Sequence, residues 1–325
     1  MSRADAVSLI RNGKRFLLSC HLRPDGDAIG SMLGLEALLR SLGKETWMWN
    51  ADPVPPSLHF LPGTSRIERA IPDGTKFDAF FITDTASRAL LPATLPPTSV
   101  TGPVVMVDHH FAHDNFGDVL AREPDAVASA EVVMRIMKDL GVTDVPAEAA
   151  MPLYTALVAD TGGFRYRGTD GDLLRMAAQL LDAGAEAVAP PRNLFEVWSH
   201  DRMTLLQRTL ATLETHFNGR VAVVSVSADT SRETNTNEDD AEGLVNYPRM
   251  LTGVQVAALF FERPSNPPVI KVSIRANNDV DVSKIAAAMG GGGHRAAAGA
   301  APVGSIADAK ATFIQIAGRV LEVTS

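Results

Sequence analysis

Cysteine is nearly absent from this chain: Cys20 stands alone among 325 residues. A disulfide framework is therefore excluded, and a reducing cytoplasm is the compartment that such usage fits. Long apolar runs are missing too, since no stretch approaches the roughly 18 residues that a membrane span needs. The opening Met1-Ser2-Arg3-Ala4-Asp5 has neither the apolar core nor the cleavage pattern of a signal peptide. Basic charge is also short, with 30 Lys and Arg against 38 Asp and Glu and a net charge of −8. That balance argues against broad backbone binding to long nucleic acid and leaves room for a small phosphorylated substrate. There is no internal repeat and no low-complexity tail.

What is present is the material of a soluble globular protein, 46% hydrophobic and 21% charged. The length exceeds one ordinary domain, which predicts two lobes. In the first half, short apolar runs at 15–20, 44–49, 77–83 and 103–108 predict strands. A helical pattern over 28–42, with Gly43 as its stop, lies between the first two. Helical patterns dominate from 129 to about 216, with breaks at Gly162-Gly163 and at Ala189-Pro190-Pro191, the second a hinge between lobes. Strands are expected at 220–227, 254–262 and 268–276, and helices at 282–289 and 305–322. The polar stretch 229–240 reads as a loop or a frayed helix. The expected fold class is α/β. A mainly parallel sheet flanked by helices fills a catalytic domain over 1–188, hinge helices follow over 189–215, and a smaller α/β domain completes 216–325.

Four apolar segments end in metal-seeking residues. Val104-Val105-Met106-Val107 runs into Asp108-His109-His110, and Arg15 to Cys20 runs into His21-Leu22-Arg23-Pro24-Asp25-Gly26-Asp27. Phe77 to Thr83 runs into Asp84, and Leu157-Val158-Ala159 runs into Asp160. In a parallel sheet, ligands bind beyond the carboxyl ends of the strands. His21, Asp25, Asp27, Asp84, His109 and Asp160 together suit two divalent ions sharing one carboxylate rather than a single structural zinc. Mixed imidazole and carboxylate donors favour Mn²⁺ over Mg²⁺, Co²⁺ or Fe²⁺. Each segment alone also has a plain structural reading: Asp25 and Asp27 as turn and helix-capping residues, Asp84 and Asp160 as caps, and the histidine pair as surface or satisfied core. Their joint placement at element ends points to metal-assisted phosphoester hydrolysis.

The same residues resemble the motifs of the DHH phosphoesterase superfamily along nearly the whole chain. The first motif is similar to His21 through Ser31, the second to Asp84-Thr85-Ala86-Ser87, the third to Asp108-His109-His110, and the fourth to Asp160 through Tyr166. The resemblance implies that His21, Asp25 and Asp84 hold one ion and that Asp27, Asp84, His109 and Asp160 hold the other, with Asp84 shared. It also implies that His110 meets the scissile phosphate or leaving oxygen while Asp108 orients the histidines.

In the second lobe, Gly290 to Gly293 followed by His294 and Arg295 has the makings of an anion-binding turn, or of a helix C-cap with a flexible loop. It is neither a Walker loop nor a dinucleotide fingerprint. The alternation in 269–275 buries Ile270, Val272 and Ile274 and turns Lys271, Ser273 and Arg275 to the other face. Arg275 can fork onto a phosphate, whereas Lys271 reads as part of a solvated strand face and the later Lys284 fits either reading. This half resembles the DHH-associated domain, which implies that Arg275, Gly291, Gly292, Gly293 and His294 hold a terminal phosphate. The pattern Glu242 to Arg249 is closer to the nanoRNase/pAp-phosphatase group than to RecJ-type exonucleases or family II pyrophosphatases. The function implied is hydrolysis of very short oligoribonucleotides, dinucleotides such as pGpG among them, and of pAp. Cyclic di-AMP or pApA hydrolysis is the alternative, and a non-catalytic nucleotide-binding protein a lesser one. The partners expected are short RNA and small nucleotides, with no long duplex and no membrane, and the family implies a homodimer.

Overall fold

The computed structural model of the chain describes residues 2–323 apart from Ala112, Asn115, Arg167, Asn278, Asp279 and His294. Contacts divide the chain into two compact units, Met1–Val197 and Trp198–Ser325. No described helix is long and apolar enough to cross a membrane.

In the first unit, β1 (Arg15–Cys20), β2 (Glu45–Trp49), β3 (Ile67–Glu68), β4 (Ala79–Thr83), β5 (Val104–Asp108) and β6 (Val119–Arg122) form one parallel sheet. Their order is β3-β2-β1-β4-β5-β6. Strand order reverses between β1 and β4, and such a reversal opens a crevice beyond the carboxyl ends of the two strands. His21 directly follows β1 and Asp84 directly follows β4, so the chain delivers both into that crevice. The expected parallel α/β fold is observed, and the four expected strands lie within two residues of their predicted limits. The edge strands β3 and β6 were not expected, because two and four residues are too few to display a period.

Helices α1 (Arg3–Asn12), α2 (Gly26–Ser41), α3 (Thr98–Thr101), α4 (Ser129–Asp139), α5 (Ala147–Asp160), α6 (Gly171–Asp182) and α7 (Ala189–Pro191) complete this unit. The segment at Ala189–Pro191 continues into a π-helical turn over Arg192–Glu196, with Pro190 buried. The α2–α5 contact sets the geometry of the site. A Cβ at Gly30 would stand 2.4 Å from Pro152 O, and one at Gly34 would stand 2.3 Å from Leu153 Cδ2. A Cβ at Gly26 would meet Ala159 Cβ at 2.6 Å. Three glycines four residues apart thus let α2 run antiparallel against α5 with almost no separation. The start of α2, bearing Asp27, is thereby brought to the end of α5, bearing Asp160.

In the second unit, α8 (His200–Leu210) leads to a mixed sheet of β7 (Glu214–His216), β8 (Val221–Val226), β9 (Val256–Arg263), β10 (Val269–Ala276), β11 (Gly292–Gly293) and β12 (Ala297–Ala300). The order is β11-β12-β10-β9-β8-β7, antiparallel except for the β8–β9 pair. Between β8 and β9 lie α9 (Ala228–Glu233) and α10 (Asn246–Arg249), and the polar stretch 229–240 is helical to Glu233 and turn and loop beyond it. On one sheet face, Ile270, Val272 and Ile274 pack with α11 (Val282–Ala288) and α12 (Ile306–Val323). The other face packs Ala257, Leu259 and Phe261 with Leu205, Leu206 and Leu244. β7 falls in a stretch read as helical, and β11 and β12 consist of Gly and Ala alone, which carry no strand signal.

Candidate metal centre

Six side chains converge in the β1–β4 crevice, from the ends of β1, β4, β5 and α5 and from the start of α2. His21 Nε2 lies 3.5 Å from Asp84 Oδ2 and 3.9 Å from Asp25 Oδ1. His109 Nε2 lies 3.1 Å from Asp160 Oδ2, 3.6 Å from Asp84 Oδ1 and 3.8 Å from Asp27 Oδ2. The two oxygens of Asp84 therefore face different imidazoles. Asp84 reaches that central position with φ of +54°, a left-handed conformation that L residues other than glycine seldom adopt. Each imidazole is oriented from behind: Nδ1 of His21 is 2.8 Å from Leu22 O, and Nδ1 of His109 is 3.4 Å from Ala126 O. With Nδ1–H donating to a carbonyl, Nε2 is the atom turned to the acids, and it becomes the ligating end once its proton has left.

Capping and ligation coexist here. Asp25 Oδ1 caps α2, accepting from the N–H groups of Asp27 and Ala28 at 3.1 Å each. Buried Asp27 closes the N-terminus of another helix: it accepts from Ser129 N at 2.6 Å and Ala130 N at 3.2 Å of α4, and from Ser31 Oγ at 2.7 Å. Ser129 Oγ donates to Asp84 Oδ1 at 3.1 Å. Ser129 so fastens two of the central acids, yet its sequence signature is only that of a helix start. His110 Nδ1 lies 2.8 Å from Oδ1 of fully buried Asp108. Arg122 on β6 donates from Nη1 to the carbonyls of His110 and Phe111 at 3.0 and 2.9 Å. Nothing in the sequence ties Arg122 to this turn, because β6 itself was not legible.

Protons, rather than lysine or arginine, offset the acids of the crevice among the described ion pairs. Burial, joined by the charges of Asp84 and Asp160, pushes the Asp27 carboxyl well above its ordinary range. Burial likewise raises Asp160 to about 6, against the lowering effect of His109. Burial alone would lower His21 and His109, but the surrounding carboxylates prevail and lift each to about 11. His110 is raised too, because Asp108 and Asp84 outweigh its burial. Protons here occupy places that suit cations. Donor atoms of three groups lie within 4.8 Å of one another: His21, Asp25 and Asp84; Asp27, His109 and Asp160; and Asp84, His109 and His110. Oxygen and imidazole donors without thiolate fit hard or borderline divalent ions.

In the second unit, Arg275 lies half-buried on β10 with Lys271 and Ser273, on the face away from α11. The three line a small cavity with Glu238, Glu242, Leu259 and Phe261. Lys271 Nζ is 2.9 Å from Glu238 Oε1, and Arg263 grips the same carboxylate through two hydrogen bonds of 2.6 and 2.9 Å. Gly292 and Gly293 pair with Gly299 and Ala298 in a hairpin, so β12 separates them from β10. The N–H groups of Gly290 and Gly291 cap α11, donating to Ala287 and Ala286 carbonyls at 3.0 and 2.8 Å. Lys284 is exposed on α11, which packs against the sheet face opposite Arg275. His294 lies outside the described residues.

Residues 15–159 match the DHH family, N-terminal domain, and residues 218–322 match the DHHA1 domain. The chain is 36% identical over 287 residues to the bifunctional oligoribonuclease and PAP phosphatase NrnA of Thermus thermophilus, covering 87% of this chain and 82% of that protein. It is 26% identical over 287 residues to the protein of the same name in Bacillus subtilis, covering 87% and 88%. Among solved structures, an exopolyphosphatase-related protein from Bacteroides fragilis shares the fold with a TM-score of 0.87, at 24% identity over 99% of this chain and 97% of that one.

Proposed function

The chain belongs to the DHH family and carries a DHHA1 domain, and from that premise we propose that it hydrolyses very short oligoribonucleotides to mononucleotides and removes a phosphate from pAp. It is a metal-dependent phosphoesterase. The observation that carries the substrate reading is the 36% identity, across most of both chains, to a protein named for both activities. The observation that carries the chemistry is the placement of Asp84, with one oxygen toward His21 and the other toward His109.

Asp84 would be shared between two ions, one also held by His21 and Asp25, the other by Asp27, His109 and Asp160. Bound divalent cations supply Lewis acidity and charge neutralisation to phosphoester hydrolysis, and the donor mixture favours Mn²⁺. The residues do the rest. The Ser129 contacts hold Asp27 and Asp84 at fixed angles, and the α2–α5 packing fixes Asp27 against Asp160. Asp108 pins His110 through Nδ1, so its Nε2 presents a proton to the departing oxygen, in keeping with its raised pKa. Arg275 would bind a terminal phosphate, with Gly292, Gly293 and His294 as further candidates; Lys284, on the helix against the opposite sheet face, and Gly291, whose N–H caps α11, would take no part in that contact. A cytoplasmic site of action accords with the small nucleotide substrates.

The test is Mn²⁺-dependent hydrolysis at matched concentrations of pGpG, a 5′-phosphorylated RNA 5-mer and 24-mer, pAp, cyclic di-AMP and pyrophosphate. Rapid loss of the dimer, the 5-mer and pAp with the 24-mer spared is the expected result. Preference for cyclic di-AMP or pyrophosphate would overturn the substrate reading.

A further inference from the structure

Single exposed apolar side chains are ordinary on protein surfaces and mean little by themselves. Phe111 differs in its location. It is 79% exposed, the most among the described large apolar side chains, and it directly follows His110 on the turn leaving β5. Its backbone is fastened on both sides. Arg122 holds the His110 and Phe111 carbonyls, as described above. Three residues on, Asp114 ties the same turn to the one after Asp84. Its N–H donates to Ala86 O at 3.1 Å, and its Oδ2 accepts from Ser87 Oγ at 2.9 Å and Arg88 N at 2.7 Å. That second turn carries Leu90, 40% exposed, whose carbonyl accepts the Leu22 N–H at 2.8 Å. The three turns that supply His21, Asp84 and His109 are thus laced together, and they hold apolar side chains out into water instead of folding them inward.

We propose that Phe111 is a nucleobase platform, a stacking surface for a base of the substrate whose phosphate is at the metal centre. The inference rests on the reading of the chain as a phosphodiesterase of short oligonucleotides. The crevice itself is built of carboxylates and of imidazoles whose ring nitrogens face those acids, an arrangement that suits ions and phosphate. An aromatic ring supplies the stacking surface, and stacking tolerates any base because every base has a π-face. Phenylalanine adds no polar atom that would select among bases. A platform of this kind serves an enzyme that must accept fragments of mixed sequence.

The test compares steady-state hydrolysis of pApA with that of the same molecule bearing hydrogen in place of both bases. It uses the unaltered chain, F111A, F111L and F111W with Mn²⁺. The readout is the preference for pApA, taken as the ratio of the two kcat/KM values. F111A is expected to reduce that preference roughly tenfold, chiefly through KM. F111W should restore it and F111L should not. Equal loss on both substrates would reveal a merely structural role and overturn the inference, as would an unchanged preference or full rescue by F111L. Failure of the unaltered chain to hydrolyse pApA would overturn the functional reading and this inference together, whereas hydrolysis with an unchanged preference in F111A would overturn the inference alone.

Discussion

The two units each gather ionised side chains, and they neutralise them in opposite ways. In the second unit, one carboxylate meets two cations: Glu238 lies between Arg263 and Lys271, and the side-chain hydrogen bond from Arg263, foremost, holds its pKa at about 2. In the first unit, the ion-pair partners of Asp25, Asp27, Asp84 and Asp160 among the described residues are the neighbouring imidazoles, and Asp27, Asp160, His21 and His109 are all raised. A compensated cluster is complete as it stands and contributes to stability. An uncompensated one, buried at considerable cost, needs charge from outside the chain. The contrast accords with the chemistry proposed for the first cluster and gives the second a part in stability.

The strongest way to break the contrast is to remove the shared acid. Asp84→Ala should lower turnover on the order of a thousandfold, the scale lost with a preorganised electrostatic partner, and weaken metal occupancy in equilibrium dialysis. Activity near that of the unaltered chain would end its central role. Arg275→Ala probes the second unit's part in substrate binding. A loss of roughly 1.5–3 kcal/mol is expected on 5′-phosphorylated dinucleotides. Equal loss on the dinucleotide without that phosphate would contradict phosphate binding by Arg275.

Packing offers a third test. Gly30→Ala forces a Cβ against the Pro152 carbonyl, where backbone cannot yield easily. A destabilisation of about 1–3 kcal/mol, read from the denaturant midpoint, should come with weaker metal binding as Asp27 and Asp160 separate. A stability loss with metal affinity intact would show that the α2–α5 spacing does not tune the site. The smallest effect is expected at Glu238→Gln, about 1 kcal/mol at neutral pH for this partly solvated network. A depressed carboxylate stabilises above its unfolded value of roughly 4.5. That contribution fades as pH falls through about 2, so the two proteins should converge in stability over this window. A gap that persists at pH 2 would assign the effect to packing instead.

Legibility in the sequence followed the same division. The metal-seeking residues could be read because each lies just after a strong apolar run, at the start of the helix that follows one, or at a helix end, and such ends are where a parallel sheet puts function. The shared role of Asp84 came from resemblance, and its two-sided geometry needed coordinates. Ser129 and Arg122 escaped because each works through a long-range contact that no local pattern announces. Gly30 and Gly34 resembled ordinary helix glycines until α5 lay against them. In the second unit, the alternation along β10 correctly assigned Lys271, Ser273 and Arg275 to one face. The hairpin of β11 and β12 did not show, since glycine and alanine carry neither period nor propensity, and the N–H groups of Gly290 and Gly291 cap α11, the helix C-cap reading of that run.

The most direct measurement is calorimetric titration of the metal-free chain with Mn²⁺ at pH 7 in buffers of different ionisation enthalpy, which gives stoichiometry and proton release together. His21 and His109, with pKa values near 11, carry protons at that pH that must leave before Nε2 can ligate. Two ions bound per chain with release of protons would agree with an acid cluster that awaits cations. A single ion, or binding without proton release, would contradict it.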